Sequence, residues 1–209
     1  MSSSPRKRQK SEPKAKEPPN VDKLVAFLTK EEDVIREAAK DILNKDLIEH
    51  TESVSRLDKQ AAELENFQQA VDSGFVKQLR AQLTSSYRMG IKLEAWVNSY
   101  TPPLASGGNV GISGEVQDGM FGNIHALSTG CSDALHRMLG FEKEYAVQMS
   151  KCTEETWKRY KVTLEASMLH DLSKTTLQLH ADLLNAANSI SNNLSHLRIG
   201  TDAPIAAMY

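Results

Sequence analysis

Six histidines, two cysteines, one Gly–Asn cluster and many carboxylates are the residues of this chain with chemistry to offer. Spacing decides what they can do. His50, His125, His136, His170, His180 and His196 include no pair at i, i+4, so no helical turn presents two imidazoles to one zinc ion. Cys131 and Cys152 stand 21 residues apart and form no CxxC, which leaves no thiolate pair for zinc or redox chemistry. Gly107, Gly108 and Gly111 imitate a phosphate loop, but the Lys-Ser/Thr that would close on a nucleotide is missing and no strand precedes them. Glu and Asp recur with Lys at helical spacing and read as a solvated face. The sequence therefore predicts no catalytic residue, no bound metal and no cofactor. What remains is a shaped loop and a chain terminus.

Charge narrows the partners. Residues 1–20 carry Arg6, Lys7, Arg8, Lys10, Lys14 and Lys16 against Glu12 and Glu17, whereas the rest holds 19 basic and 25 acidic residues. An acidic body lacks the excess of Lys and Arg that stable nucleic-acid binding requires. The basic segment, with Arg6, Lys7, Arg8 and Lys10, reads instead as a nuclear-import address, which favours the nucleus alongside the cytoplasm. No run of about 20 apolar residues is available for a membrane span, and no apolar signal segment opens the chain. Two thiols in such a chain predict reduced, partly buried cysteines.

Helices must position the loop and the terminus. Residues 1–20 have no large apolar side chain and are expected to be disordered. Val21, Leu24, Val25, Leu28, Ile35, Ala39 and Ile42 trace one apolar stripe, predicting a first helix over residues 21–49. Thr29 and Glu32 fit a capping box, but the stripe runs through them. Residues 50–74 carry a weaker stripe, with an interruption expected at Ser73-Gly74. Phe75, Leu79, Leu83, Tyr87, Ile91 and Ala95 continue as a second long helix, ended by Pro102 and Pro103.

A third helix is predicted over residues 115–150, in which Gly119, Gly122, Gly130 and Gly140 are the candidates for close helix contact. The fourth starts at Thr153-Glu154-Glu155 and runs through Trp157, Leu172, Leu183 and Leu197 until Gly200 and Pro204. The expected fold is all-α: a four-helix bundle over residues 21–200, an inter-helix loop at 102–114 and a flexible tail at 201–209.

Residues 96–111 (WVNSYTPPLASGGNVG) resemble the helix-to-loop junction of the 11S (REG) proteasome activators, which typically read W-(V/L)-x-x-x-I-P-R-I-E-D-G-N-N-F-G. Trp96, Val97, Pro102, Gly107, Asn109 and Gly111 match, followed by Ser113. Weaker likeness covers LTKEEDVI in the first helix, YKVTLEA in the fourth, and the Met208-Tyr209 ending. The family's Arg-Ile-Glu-Asp is here Pro103-Leu104-Ala105-Ser106, its first Asn is Gly108, and its Phe is Val110.

The resemblance implies a subunit that assembles into a ring, a homo-heptamer, on the α-subunit ring of the 20S proteasome. Ala206, Ala207, Met208 and Tyr209 would dock between neighbouring α subunits, the Tyr209 carboxylate meeting a basic side chain. Seven such tails act with avidity. An activation loop of Pro102, Ser106, Gly107, Gly108, Asn109, Val110, Gly111 and Ser113 would hold the gate open without ATP. Two other classes compete: a helical adaptor or scaffold, and a chromatin-associated protein working through its basic arm. The last three residues also fit a PDZ ligand.

Overall fold

The structure is a computed structural model that describes residues 21–100 and 114–193. Among them, 95% are helical and none lies in a strand. The segments are α1 (Val21–Asp41), a π-helical turn (Ile42–Asp46), α2 (Leu47–Ala62), α3 (Phe67–Asp72), α4 (Phe75–Tyr100), α5 (Gly114–Lys151) and α6 (Glu154–Asn193). The all-α expectation holds. The predicted stretches at 1–20, 102–113 and 194–209, with the tail and import residues they contain, lie outside the described residues.

The first helix does not stop at residue 49. It passes through the π turn and continues to Ala62 as one unbroken helical path. The cause is visible in the spacing of buried residues: Ala39, Ile42, Leu47, Val54, Leu57 and Ala61 follow helical intervals except for the step of five between Ile42 and Leu47. A π turn closes i→i+5 bonds, and the Leu47 N–H does donate to the Ile42 carbonyl. One extra residue is thereby absorbed and the apolar row stays on one face. Thr29 caps nothing, since its hydroxyl bonds back to the Val25 carbonyl at 3.0 Å within the helix.

The polar stretch 63–74 contains the short α3. Asn66 caps it, its side-chain oxygen accepting from the Gln69 N–H at 2.9 Å. The expected break follows at Ser73-Gly74, where Gly74 has φ +73°, a conformation that glycine adopts at no steric cost. At the α5–α6 turn, Thr153 Oγ1 accepts from the Thr156 N–H at 3.4 Å, so the predicted start of the last long helix is observed.

The four long helical rods pack in cyclic order: α1–α2 against α4, α4 against α5, α5 against α6, and α6 against α2. Each neighbour is antiparallel. His50–Gln82 links α2 to α4, Arg80–Glu142 and Glu94–Ser128 link α4 to α5, Arg137–Asp171 and Asn123–Ser189 link α5 to α6, and Asp58–His180 links α2 to α6. Phe75, Leu79, Leu83, Leu93, Trp96, Met120, Ile124, Leu127, Leu172, Leu183 and Ile190 fill the core.

Two predicted apolar rows leave that core. Leu24, Val25 and Leu28 are about half exposed, at 56%, 55% and 48%. The antiparallel register carries the first turns of α1 past Tyr100, the last described residue of α4, so no described part of α4 lies beside the rod there. Tyr87 and Ile91 are exposed as well. Steps of four residues advance roughly 400°, so a row at strict i+4 spacing drifts about 40° per step off the buried face. Beyond Leu83 the buried row passes to Ser86, Met89, Gly90, Leu93, Trp96 and Val97.

Candidate functional site: the loop-bearing end of the bundle

An up-down-up-down bundle brings alternate chain ends together. Tyr100, where α4 ends, Gly114, where α5 begins, Val21, where α1 begins, and Asn193, where α6 ends, all belong to one end of this bundle. The opposite end holds α3 and the Lys151–Glu154 turn. The chain therefore enters residues 101–113 and residues 194–209 from the same end.

That end is built on a close approach of α4 and α5. Gly90 faces Ser128 so tightly that a Cβ placed on it would lie 3.0 Å from the Ser128 Cβ, 3.2 Å from its N and 3.3 Å from its Cα. This corrects the expectation for three of the four α5 glycines. Gly119, Gly122 and Gly140 face open space, and Gly130 meets only the Asp182 carboxylate, at 3.1 Å. The contact glycine is in α4, and its mate is a serine.

One turn beyond Gly90 is Glu94, whose side chain is 15% exposed. A carboxylate this covered needs partners, since burial of an uncompensated charge is costly. The Ser128 hydroxyl donates to it, and His125 Nδ1 lies 3.4 Å from the same oxygen. Ser128 Oγ is also 3.0 Å from the His125 carbonyl oxygen, and the His125 ring stacks on Phe121 at 5.7 Å between centroids. Trp96 and Val97, the two residues that open the sequence match, are buried in the core near the end of α4. Asn123 donates to Ser189 Oγ at 2.6 Å, tying α5 to α6 at the same level. Of the site residues named from sequence, none falls within the described part of this end. Gly90, Glu94, His125 and Ser128 were not found from the sequence, because only the antiparallel register pairs them.

The other titratable groups are settled by packing. Burial pushes the Cys131 thiol up to about 12, with the Asp182 carboxylate adding to it, and Cys152 is half-buried; both are free. Burial lowers the pKa of His50, whose Nε2 lies 3.2 Å from the Gln82 carbonyl; this fixes the neutral tautomer with its proton on Nε2. At the far end, hydrogen bonds from the Tyr160 hydroxyl (2.7 Å) and the Gln148 amide hold the Glu144 carboxyl below its ordinary value. Among the described residues, no group of three or more His, Cys, Asp or Glu could hold a metal ion, and no helix is long and apolar enough to cross a membrane.

Two sides of the bundle remain apolar. Between the first rod and α6 runs a groove of about 520 Å³, floored by Leu43, Leu47, Ile48, Leu184, Ala187 and Ile190. On the α4–α5 side, Tyr87, Ile91 and Leu139 are exposed. The cyclic helix order makes these opposite sides of the molecule.

The class defined here is an all-helical antiparallel bundle with two unlike apolar flanks, from one end of which residues 101–113 and 194–209 are reached. No protein-family model matches the chain, and no curated protein matches it either.

Proposed function

We propose that this chain is an ATP-independent activator of the 20S proteasome of the 11S type, without catalytic residues of its own. The observation that carries the reading is topological: residues 101–113 and residues 194–209 are both reached from one end of the bundle. A protein that docks by its C-terminal residues and acts by an inter-helix loop needs both at the same face. The match around Trp96, Pro102, Gly107, Asn109 and Gly111 falls on the junction that feeds that face.

Assembly into a ring draws support from the flanks. A head-to-tail ring uses two different patches on each subunit, one for each neighbour. The α1–α2/α6 groove and the α4–α5 side supply two unlike apolar patches on opposite sides. Binding of several tails would then supply affinity by avidity, and the loop would shift the gate toward its open state. Nuclear import through Arg6, Lys7, Arg8 and Lys10 belongs to the same proposal.

A helical adaptor is the second reading, favoured by the exposed row of Leu24, Val25 and Leu28, which suits a partner helix. One experiment separates the two. Purified protein is expected to stimulate hydrolysis of short fluorogenic peptides by matched 20S proteasome without ATP, and to run at a native mass of several subunits. Removal of Ala207, Met208 and Tyr209 is expected to abolish co-sedimentation with 20S, while Asn109→Tyr docks without stimulating. No stimulation by the full chain at any concentration would leave the adaptor standing.

A further inference from the structure

We propose that Gly90, Glu94, Ser128 and His125 form a brace of positioning residues, which fixes the spacing and rotation of α4 and α5 where they deliver and receive residues 101–113. This rests on the proposed activator function and deepens it by naming what sets the geometry of the working loop's base.

Three observations lead to the brace. The first is steric: a Cβ at position 90 would lie 3.0–3.3 Å from three atoms of Ser128, so any side chain there would push the two helices apart. The second is electrostatic. Glu94 is the acidic residue drawn into the α4–α5 seam beside the loop, and its partners come from the facing helix: the Ser128 hydroxyl and the His125 ring. The third is position. Glu94 precedes Tyr100 by fewer than two helical turns, so a rotation of α4 at Glu94 reaches the loop almost undamped.

The far end of the same helix pair makes the contrast. There, Arg80 and Glu142 meet across α4 and α5 with both side chains about half exposed, so solvent screens their attraction. Apolar residues could hold α4 to α5 at the seam as firmly as a covered carboxylate does, since a buried polar group is a poor source of stability. What directional bonds add is a single register. One hydrogen bond and one nearby imidazole on the same carboxylate, set against a glycine–serine contact, favour one seating of the pair.

Hydrogen exchange on the free protein and peptidase stimulation with 20S test this together. Glu94→Ala and Ser128→Ala are compared with Glu94→Gln, which keeps an acceptor for the Ser128 hydroxyl, and with Glu142→Gln at the other end. The brace predicts several-fold faster amide exchange at residues 97–100 and 118–124 in the two alanine variants, with exchange around Arg80 unchanged. Glu94→Gln and Glu142→Gln are expected to match wild type in the loop-flanking amides. In the 20S assay, the alanine variants should lose maximal stimulation several-fold while the half-maximal concentration stays unchanged, a split that a merely less stable protein would not produce. Wild-type exchange at 97–100 and 118–124 in both alanine variants would overturn the brace. A wild-type chain that fails to stimulate 20S would instead overturn the activator function, and the exchange result would still decide the brace.

Discussion

Substitution of Gly90 by alanine tests the close approach of α4 and α5 most directly, because two opposed effects have known sizes. Alanine in a helix interior is favoured over glycine by about 1 kcal/mol. Against this, the new methyl carbon would sit 3.0, 3.2 and 3.3 Å from three atoms of Ser128. Two of these are backbone atoms, so no rotamer change on α5 relieves the contact; the helices must move apart. Overpacking of that kind costs roughly 1–3 kcal/mol.

With relief blocked, the cost falls in the upper part of the range, and the net loss for Gly90→Ala is about 1–2 kcal/mol. For a chain of this size that lowers Tm by roughly 2–8 °C. Gly122→Ala and Gly140→Ala meet nothing within 4 Å and keep only the favourable term. Each is expected to gain about 0.5–1 kcal/mol. Thermal and urea unfolding followed by far-ultraviolet circular dichroism, at one fixed protein concentration, measures all three. Stabilisation of Gly90→Ala to the level of Gly122→Ala would refute the close packing of the two helices.

Three further outcomes are expected. His50 is neutral in the fold and its folded pKa lies below the ordinary value of 6.5, so its contribution is complete above that value and is lost as pH falls below it. The Tm of wild type minus that of His50→Gln, which retains a donor for the Gln82 carbonyl, should therefore decline between pH 7.5 and pH 5; a flat difference would contradict the burial of a neutral imidazole. Under native conditions one thiol, Cys152, should react with iodoacetamide and Cys131 should stay protected until unfolding, as mass mapping of the alkylated peptides would show. Deletion of Asn44 removes the extra residue of the π turn and should leave a folded, helical protein, whereas deletion of Ser55 from the regular part of α2 should unfold it.

Much of the helical frame could be read from the chain because its signals are local. Gly74 and the Thr153 cap each act within a few residues, and the structure has a break at the one and a helix start at the other. The π turn was also signalled locally, by the five-residue step from Ile42 to Leu47, but a stripe read by eye passes over one irregular interval. Asn66 was likewise a usable cap signal for α3. Other features depend on which helix lies opposite. Leu24, Val25 and Leu28 look like core residues in sequence and are left half exposed because the described part of α4 does not reach them. Gly90 is one glycine among several on the helices, and only its register against Ser128 makes it the tight one. Glu94 and His125 are 31 positions apart, so no periodicity within either helix could have paired them.

The two ends of the bundle are held by different mixtures of contacts. At the far end, Phe67, Phe141, Tyr145, Trp157 and Tyr160 form a continuous run of ring contacts, with centroids 4.9–6.3 Å apart and varied tilts. Such contacts bury much area and tolerate a range of angles, and the Tyr160 hydroxyl adds a hydrogen bond to Glu144 at 2.7 Å. At the end from which residues 101–113 are reached, Ser128 hydrogen-bonds Glu94, the His125 ring lies 3.4 Å from the same carboxylate, and Asn123 hydrogen-bonds Ser189. These contacts run in series from α4 to α5 to α6, the helices that lead into residues 101–113 and 194–209. On the proposed activator function, a force applied at the last described turns of α6 would reach the end of α4 through these bonds. Docking by the tail and action by the loop would thus be coupled within one subunit, over the last turns of three helices, with the rest of the bundle serving as the fixed support.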